Sequence, residues 1–205
     1  MPKPAINCAN SFRSHLITLE FTRKKGEYLV SKNMIVRRDI EQIYKGLWLD
    51  ACCSFEQFIE QLFIGLLVER YSHPSKDVVP RITFHSDAIA TDIICSGNKY
   101  VDWLPYDRTE KIAVAYFKNG LPFKSLDQSE KNIIKDIYQI RNAVAHKSDY
   151  SQKLFQEKII GSLALPPRDK FPAPFLRTVF RVSPSQTRYE NYVIEMASIA
   201  TKLCQ

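Results

Sequence analysis

Arg141 and His146 stand in the run Ile140-Arg141-Asn142-Ala143-Val144-Ala145-His146-Lys147. They place a permanent cation, an amide and an imidazole within six residues. These residue types suit metal-free cleavage of a phosphodiester. A base takes the proton of a ribose 2′-hydroxyl, and a cation holds the phosphate as charge builds on it. Spacing alone is not specific. With 12 Arg and four His in 205 residues, chance supplies an Arg and a His five positions apart about a quarter of the time, so the surrounding elements have to decide.

The element that carries the pair reads as a helix. Asp127 with Glu130, or Ser125 with Gln128, offers a capping pair at its start, and Ile133, Ile137, Ile140 and Val144 form its apolar stripe. At about 100° per residue, Arg141 and His146 point roughly 140° apart on an ideal helix, whereas Asn142 and His146 share a face. One copy therefore converges its own Arg and His poorly. A second copy packed antiparallel across a twofold axis brings both pairs into one cleft, so the site is expected at a homodimer interface. The plainer reading is that Arg141 pairs with a surface carboxylate and His146 answers the dipole at a helix C-terminus. Lys147 adds a further cation beside His146.

The other elements follow from periodicity. From Arg37 to Tyr71 apolar residues recur at spacings of three and four, including Ile40, Ile43, Tyr44, Leu47, Trp48, Phe55, Phe58, Leu62 and Leu66. This predicts one long amphipathic helix, with Gly65 as a candidate kink and His73-Pro74 as its end. Asp50 and Glu56 lie off that stripe and are candidate orienting carboxylates for the motif; a solvated helix face is the plainer reading. Before it, Ser11 to Glu20 reads as a short helix and Glu27 to Val30 as a turn or strand edge. After it come an extended segment over 78–84, helices over 86–94 and 108–117, and a stop at Asn119-Gly120. Four prolines between 165 and 175 predict an irregular connection, Thr178 to Val182 an extended piece, and Tyr189 to Leu203 a closing helix. Trp103, with Tyr100 and Tyr106, is a candidate stacking surface or simple packing. Arg81 and His85 do not have the motif's spacing.

Composition bounds the rest. A chain of 205 residues with 45% hydrophobic content suits a single all-α domain with its own core. The odd cysteine count, with Cys52 and Cys53 adjacent in a helical pattern, reads as free thiols rather than a disulfide framework or metal site. No signal-like N-terminus or membrane-length apolar run is present, so a cytoplasmic protein is expected. The net charge of +7 favours a polyanionic partner, RNA before a membrane.

An Arg, a polar residue, three more positions and a His, late in a helix of an all-α chain, resemble the signature of the HEPN superfamily (higher eukaryotes and prokaryotes nucleotide-binding). The long helix from Arg37, the Gly120-Leu121-Pro122-Phe123 approach to the motif helix, the proline-rich connection and the final helix resemble the branch called RiboL-PSP HEPN. That likeness covers about residues 37–205 and sets 1–36 apart as an N-terminal extension. It implies a dimeric helical bundle and, in many members, a metal-independent endoribonuclease without cofactor. At the matching positions, His146 is the base or orients the 2′-hydroxyl, Arg141 holds the scissile phosphate, and Asn142 supports the site. The products would be a 2′,3′-cyclic phosphate and a 5′-hydroxyl. The resemblance implies a toxin or phage-defence effector, restrained by an antitoxin or another defence-system partner. Other members are non-catalytic, so the alternative is a module that binds RNA, a nucleotide or a protein, or that serves dimerisation. Some HEPN toxins carry a modifiable tyrosine two residues after the His; here Ser148 stands there, and the nearest tyrosine is Tyr150.

Overall fold

Of the eight α-helices among the described residues, the two longest come first: α1 spans Ile6–Ser31 and α2 spans Arg37–Leu67. The computed structural model describes residues 1–96, 101–146 and 148–205. The remaining helices are α3 (Asp87–Cys95), α4 (Tyr106–Tyr116), α5 (Gln128–Ala145), α6 (Asp149–Phe155), α7 (Pro172–Arg177) and α8 (Arg188–Lys202). Extended structure is confined to two short pairs. Strand β1 (Lys3–Pro4) runs parallel to β2 (Tyr71–Ser72), and β3 (Val179–Arg181) runs antiparallel to β4 (Gln186–Thr187). The fold is all-α, the class expected from the sequence. Among the described residues, no helix is long and apolar enough to cross a membrane.

Three local expectations change. α1 runs well beyond Ser11 to Glu20 and absorbs Glu27 to Val30. Its buried positions are Cys8, Ala9, Phe12, Leu16, Leu19, Arg23 and Gly26, spaced by one, three or four residues. A buried arginine interrupts the apolar series, and exposed Ile17, Phe21 and Tyr28 blur it from the other face. α2 is unbroken at Gly65 and ends at Leu67, before His73-Pro74. Glu69 turns left-handed there (φ 57°), and the Tyr71 ring then packs where a side chain at 65 would sit. Gly65 is thus a close-approach site. The proline-rich segment contains a helix, α7, because Pro172 and Pro174 fall in its first turn, where backbone N–H groups have no intrahelical partner. Pro172 to Leu176 are all buried.

The chain forms two compact units. The first comprises Met1–Arg13, Ser54–Ile134 and Met196–Gln205. Its core centres on Phe63, whose ring lies 5.0 Å from Trp103, 5.0 Å from Phe117 and 4.9 Å from Phe123. Trp103 and Tyr106 are buried, and the Tyr106 hydroxyl donates to the Phe123 carbonyl. They are packing residues rather than a stacking surface; Tyr100 lies outside the described residues. The predicted extended segment over 78–84 keeps one isolated bridge, Pro80 to Phe117.

The second unit comprises Ser14–Cys53 and Lys135–Glu195. Gly26 lets α1 approach the Ile40 side chain of α2 closely. Tyr44, Trp48 and Tyr189 are fully buried, with Tyr192 edge-on to Trp48 at 5.6 Å. Phe155 meets Phe175 edge-on at 5.5 Å, tying α6 to α7. All five cysteines are free thiols; only Cys53 is exposed.

Candidate functional site

The helix that carries the motif starts from a reciprocal cap. The Asp127 carboxylate accepts from the N–H groups of Ser129 and Glu130, and Glu130 Oε2 accepts from the Asp127 N–H at 2.8 Å. Of the two capping pairs open in the sequence, Asp127 with Glu130 is the one formed. The buried stripe of α5 is Ile134, Ile137, Ile140 and Ala143, so Ile133 and Val144 sit at its margins, half-buried. That rotation brings Arg141 and Asn142 to half-buried positions, and His146 is exposed immediately beyond the last helical residue.

Arg141 and Asn142 are brought together: Arg141 Nη1 donates to Asn142 Oδ1 at 3.0 Å. The His146 N–H closes on the Asn142 carbonyl at 2.8 Å, so the backbone keeps a helical hydrogen bond up to the motif histidine. α6 then secures that end. The Gln152 side-chain amide donates to the carbonyls of Ala143 at 2.7 Å and His146 at 3.3 Å, satisfying acceptors that a helix terminus leaves open. Ser148 caps α6 by accepting from the Ser151 N–H, and Tyr150 is 72% exposed. Lys147 lies outside the described residues.

The two candidate orienting carboxylates fall in different units, Asp50 in the second and Glu56 in the first. Asp50 Oδ1 lies 2.8 Å from His15 Nε2. Glu56 belongs to the first unit and is half-buried. A carboxylate the sequence did not single out lies on α5 itself. Asp136 is on the side of Ile140 and Ala143, and burial pushes its carboxyl up, with Lys135 opposing. Among the described residues, no group of three or more His, Cys, Asp or Glu could hold a metal ion.

Two further features were not legible as sites. The first is an ionic network around Tyr44. Arg23 donates to both carboxylate oxygens of Glu20, to Glu190 at 2.7 Å and to the Tyr44 hydroxyl, which in turn donates to Glu27. Glu27 also accepts two hydrogen bonds from Arg177, each 2.9 Å. Burial pushes the Glu27 carboxyl up, but Arg177 and Tyr44 outweigh it and hold the group below its ordinary value. With Lys24 Nζ 3.6 Å from Glu20, three cations face three carboxylates, so the network reads as structural.

The second feature is a groove of about 770 Å³ beside the last turns of α5. Arg38 and Lys45 of α2, Val144 of α5, Gln152 of α6, and Arg168 and Phe171 before α7 line it. Phe171 is 59% exposed. Glu41 also faces the groove, but it accepts from Arg37 at 2.7 Å, and Arg37 further holds Asp169 at 2.5 Å. Among the described residues, no carboxylate pairs with Arg38, Lys45 or Arg168. Its lining arrives from α2, α5, α6 and the segment before α7, which no local sequence pattern joins. No family model, no curated protein and no solved structure matches this chain.

Proposed function

We propose that this protein is a metal-independent endoribonuclease of the HEPN kind, a toxin or phage-defence effector whose site is completed in a homodimer. The observation that carries the reading is the end of α5. There Arg141 is held to Asn142 at 3.0 Å, half-buried, and His146 stands exposed just past the helix. A guanidinium fixed by its neighbour spends little rotamer freedom in binding a phosphate. An exposed imidazole can reach a ribose. The cations of the groove beside them, and the net charge of +7, favour a polyanion.

In this mechanism His146 removes the proton of a ribose 2′-hydroxyl. The 2′-oxygen forms a bond to the adjacent phosphorus, and the bond from phosphorus to the 5′-oxygen breaks. The leaving oxygen takes up the proton now held on that imidazolium, which returns His146 to its neutral state. Arg141 holds the non-bridging oxygens as charge collects on them. The products are a 2′,3′-cyclic phosphate and a 5′-hydroxyl. Access to the site is governed by a protein partner, an antitoxin or a defence-system component.

The test incubates the purified full chain with RNA in EDTA, beside His146→Ala. The expected result is cleavage that leaves 2′,3′-cyclic phosphate ends and falls by at least about a hundredfold in the variant. Cleavage that requires a divalent metal, or that survives the substitution, sinks the mechanism. Salt-sensitive RNA binding with no cleavage leaves a non-catalytic RNA-binding module.

A further inference from the structure

We propose that the groove formed by Arg38, Lys45, Gln152, Arg168 and Phe171 is the seat of single-stranded RNA on this protein. The proposal deepens the ribonuclease reading and rests on it for the identity of the ligand as RNA. Its physical basis is separate from the motif and lies in unspent charge beside an unspent aromatic face.

Arg38, Glu41 and Lys45 are three and four residues apart, so they share one face of α2. Glu41 and Asp169 are both committed to Arg37, which leaves Arg38, Lys45 and Arg168 without a counter-charge among the described residues. Three carboxylate-free cations around one concavity repel one another and are relieved by an anion with several charges. A strand of phosphates is such an anion, and its capture would release condensed counterions. A lone small anion would satisfy only part of the set.

Phe171 decides between kinds of polyanion. It caps α7 through its backbone, with the Phe175 N–H bonding to its carbonyl at 2.8 Å, and its ring stays 59% exposed. A base with a free π face can stack on it. A duplex keeps its bases stacked on each other and has no face to offer, and an acidic peptide gains little from the ring. The Gln152 amide, which closes the end of α5, also lines the groove. A strand lying there runs past the last turn of the motif helix. Phosphates on Arg38, Lys45 and Arg168 with a base on Phe171 thus describe one single strand.

The experiment measures fluorescence anisotropy of a labelled single strand of about twelve uridines, a length that covers such a groove, with full-length chain carrying His146→Ala so that the strand stays intact. Arg38→Ala, Lys45→Ala and Arg168→Ala together should weaken binding by at least about tenfold and reduce the slope of log affinity against log salt by about 2, the value for three phosphate contacts on a single strand. Phe171→Leu should weaken binding by about tenfold with the salt slope unchanged, and Phe171→Tyr should bind as the parent does. Circular dichroism checks that each variant is folded; all four positions are exposed or half-buried. Parent-like binding by the folded triple variant overturns the proposal. So does a duplex that competes as well as the single strand, and so does displacement by polyglutamate at equal charge, which would make the partner an acidic protein. Wild-type cleavage of the same strand in EDTA is scored separately. Cleavage without groove-dependent binding overturns the groove alone, and groove-dependent binding without cleavage overturns the nuclease alone.

Discussion

Arg23 sits where the spacing of α1 calls for an aliphatic side chain, and only 6% of it is exposed. Burial alone would lower its guanidinium, but hydrogen bonds to Glu20 and Tyr44 outweigh that and hold it above its ordinary value. The cation is therefore held inside by Glu20, Glu190 and the Tyr44 hydroxyl together. Arg23→Ala leaves Glu190 without its cation and Glu20 with only the exposed Lys24, and the expected cost is about 3 kcal/mol, read as a shift of the urea midpoint. Arg23→Ala with Glu20→Gln and Glu190→Gln should recover a large part of that loss, because no buried charge is left unmatched. At this scale the sequence exposed what is local. Arg141, Asn142 and His146 are neighbours in the chain, so their types could be read together. Arg23, Glu27, Arg177 and Glu190 are more than a hundred residues apart at their extremes, and no local pattern announces that they meet. The same holds for the groove, whose cations come from α2 and from the segment before α7.

At the scale of elements, legibility followed how completely one face is buried. α2 carries aromatic and aliphatic residues at nearly every inward position, and its helix stood out. α1 mixes a buried cation with exposed apolar side chains and was cut short; α7 was hidden because its prolines were read as breakers when they occupy a first turn. The start of α5 was legible because its cap is chemical. Ser129 and the Glu130 N–H hold the exposed Asp127 carboxyl down at about 2. A carboxyl lowered in the folded state stabilises above its ordinary value and loses that effect as pH falls through about 2. Asp127→Ala should thus lower Tm at neutral pH, Asp127→Asn should lower it less because it still accepts hydrogen bonds, and the gap between wild type and Asp127→Ala should close as pH falls from 4 toward about 2. A gap independent of pH would remove the ionised cap from the account.

At the scale of the whole molecule, the proposed site needs two copies, and complementation reads that need directly. Arg141→Ala and His146→Ala chains should each be inactive alone. If each cleft takes its Arg from one copy and its His from the other, an equimolar mixture should regain about a quarter of wild-type cleavage, since half the dimers are mixed and each has one intact cleft. A mixture that stays inactive after subunit exchange is verified would show that Arg141 and His146 act within one chain. The positive balance of +7 should make that activity fall as salt rises. The division into units has a consequence for how the protein comes to exist. Neither unit is a contiguous stretch: one is assembled from three segments and the other from two. A fragment that contains the motif unit, residues 14–195, necessarily carries most of the other unit with it. On the ribosome, the motif unit cannot close before residue 195 has emerged, so a growing chain holds Arg141 and His146 for some fifty residues of synthesis without the surroundings that position them.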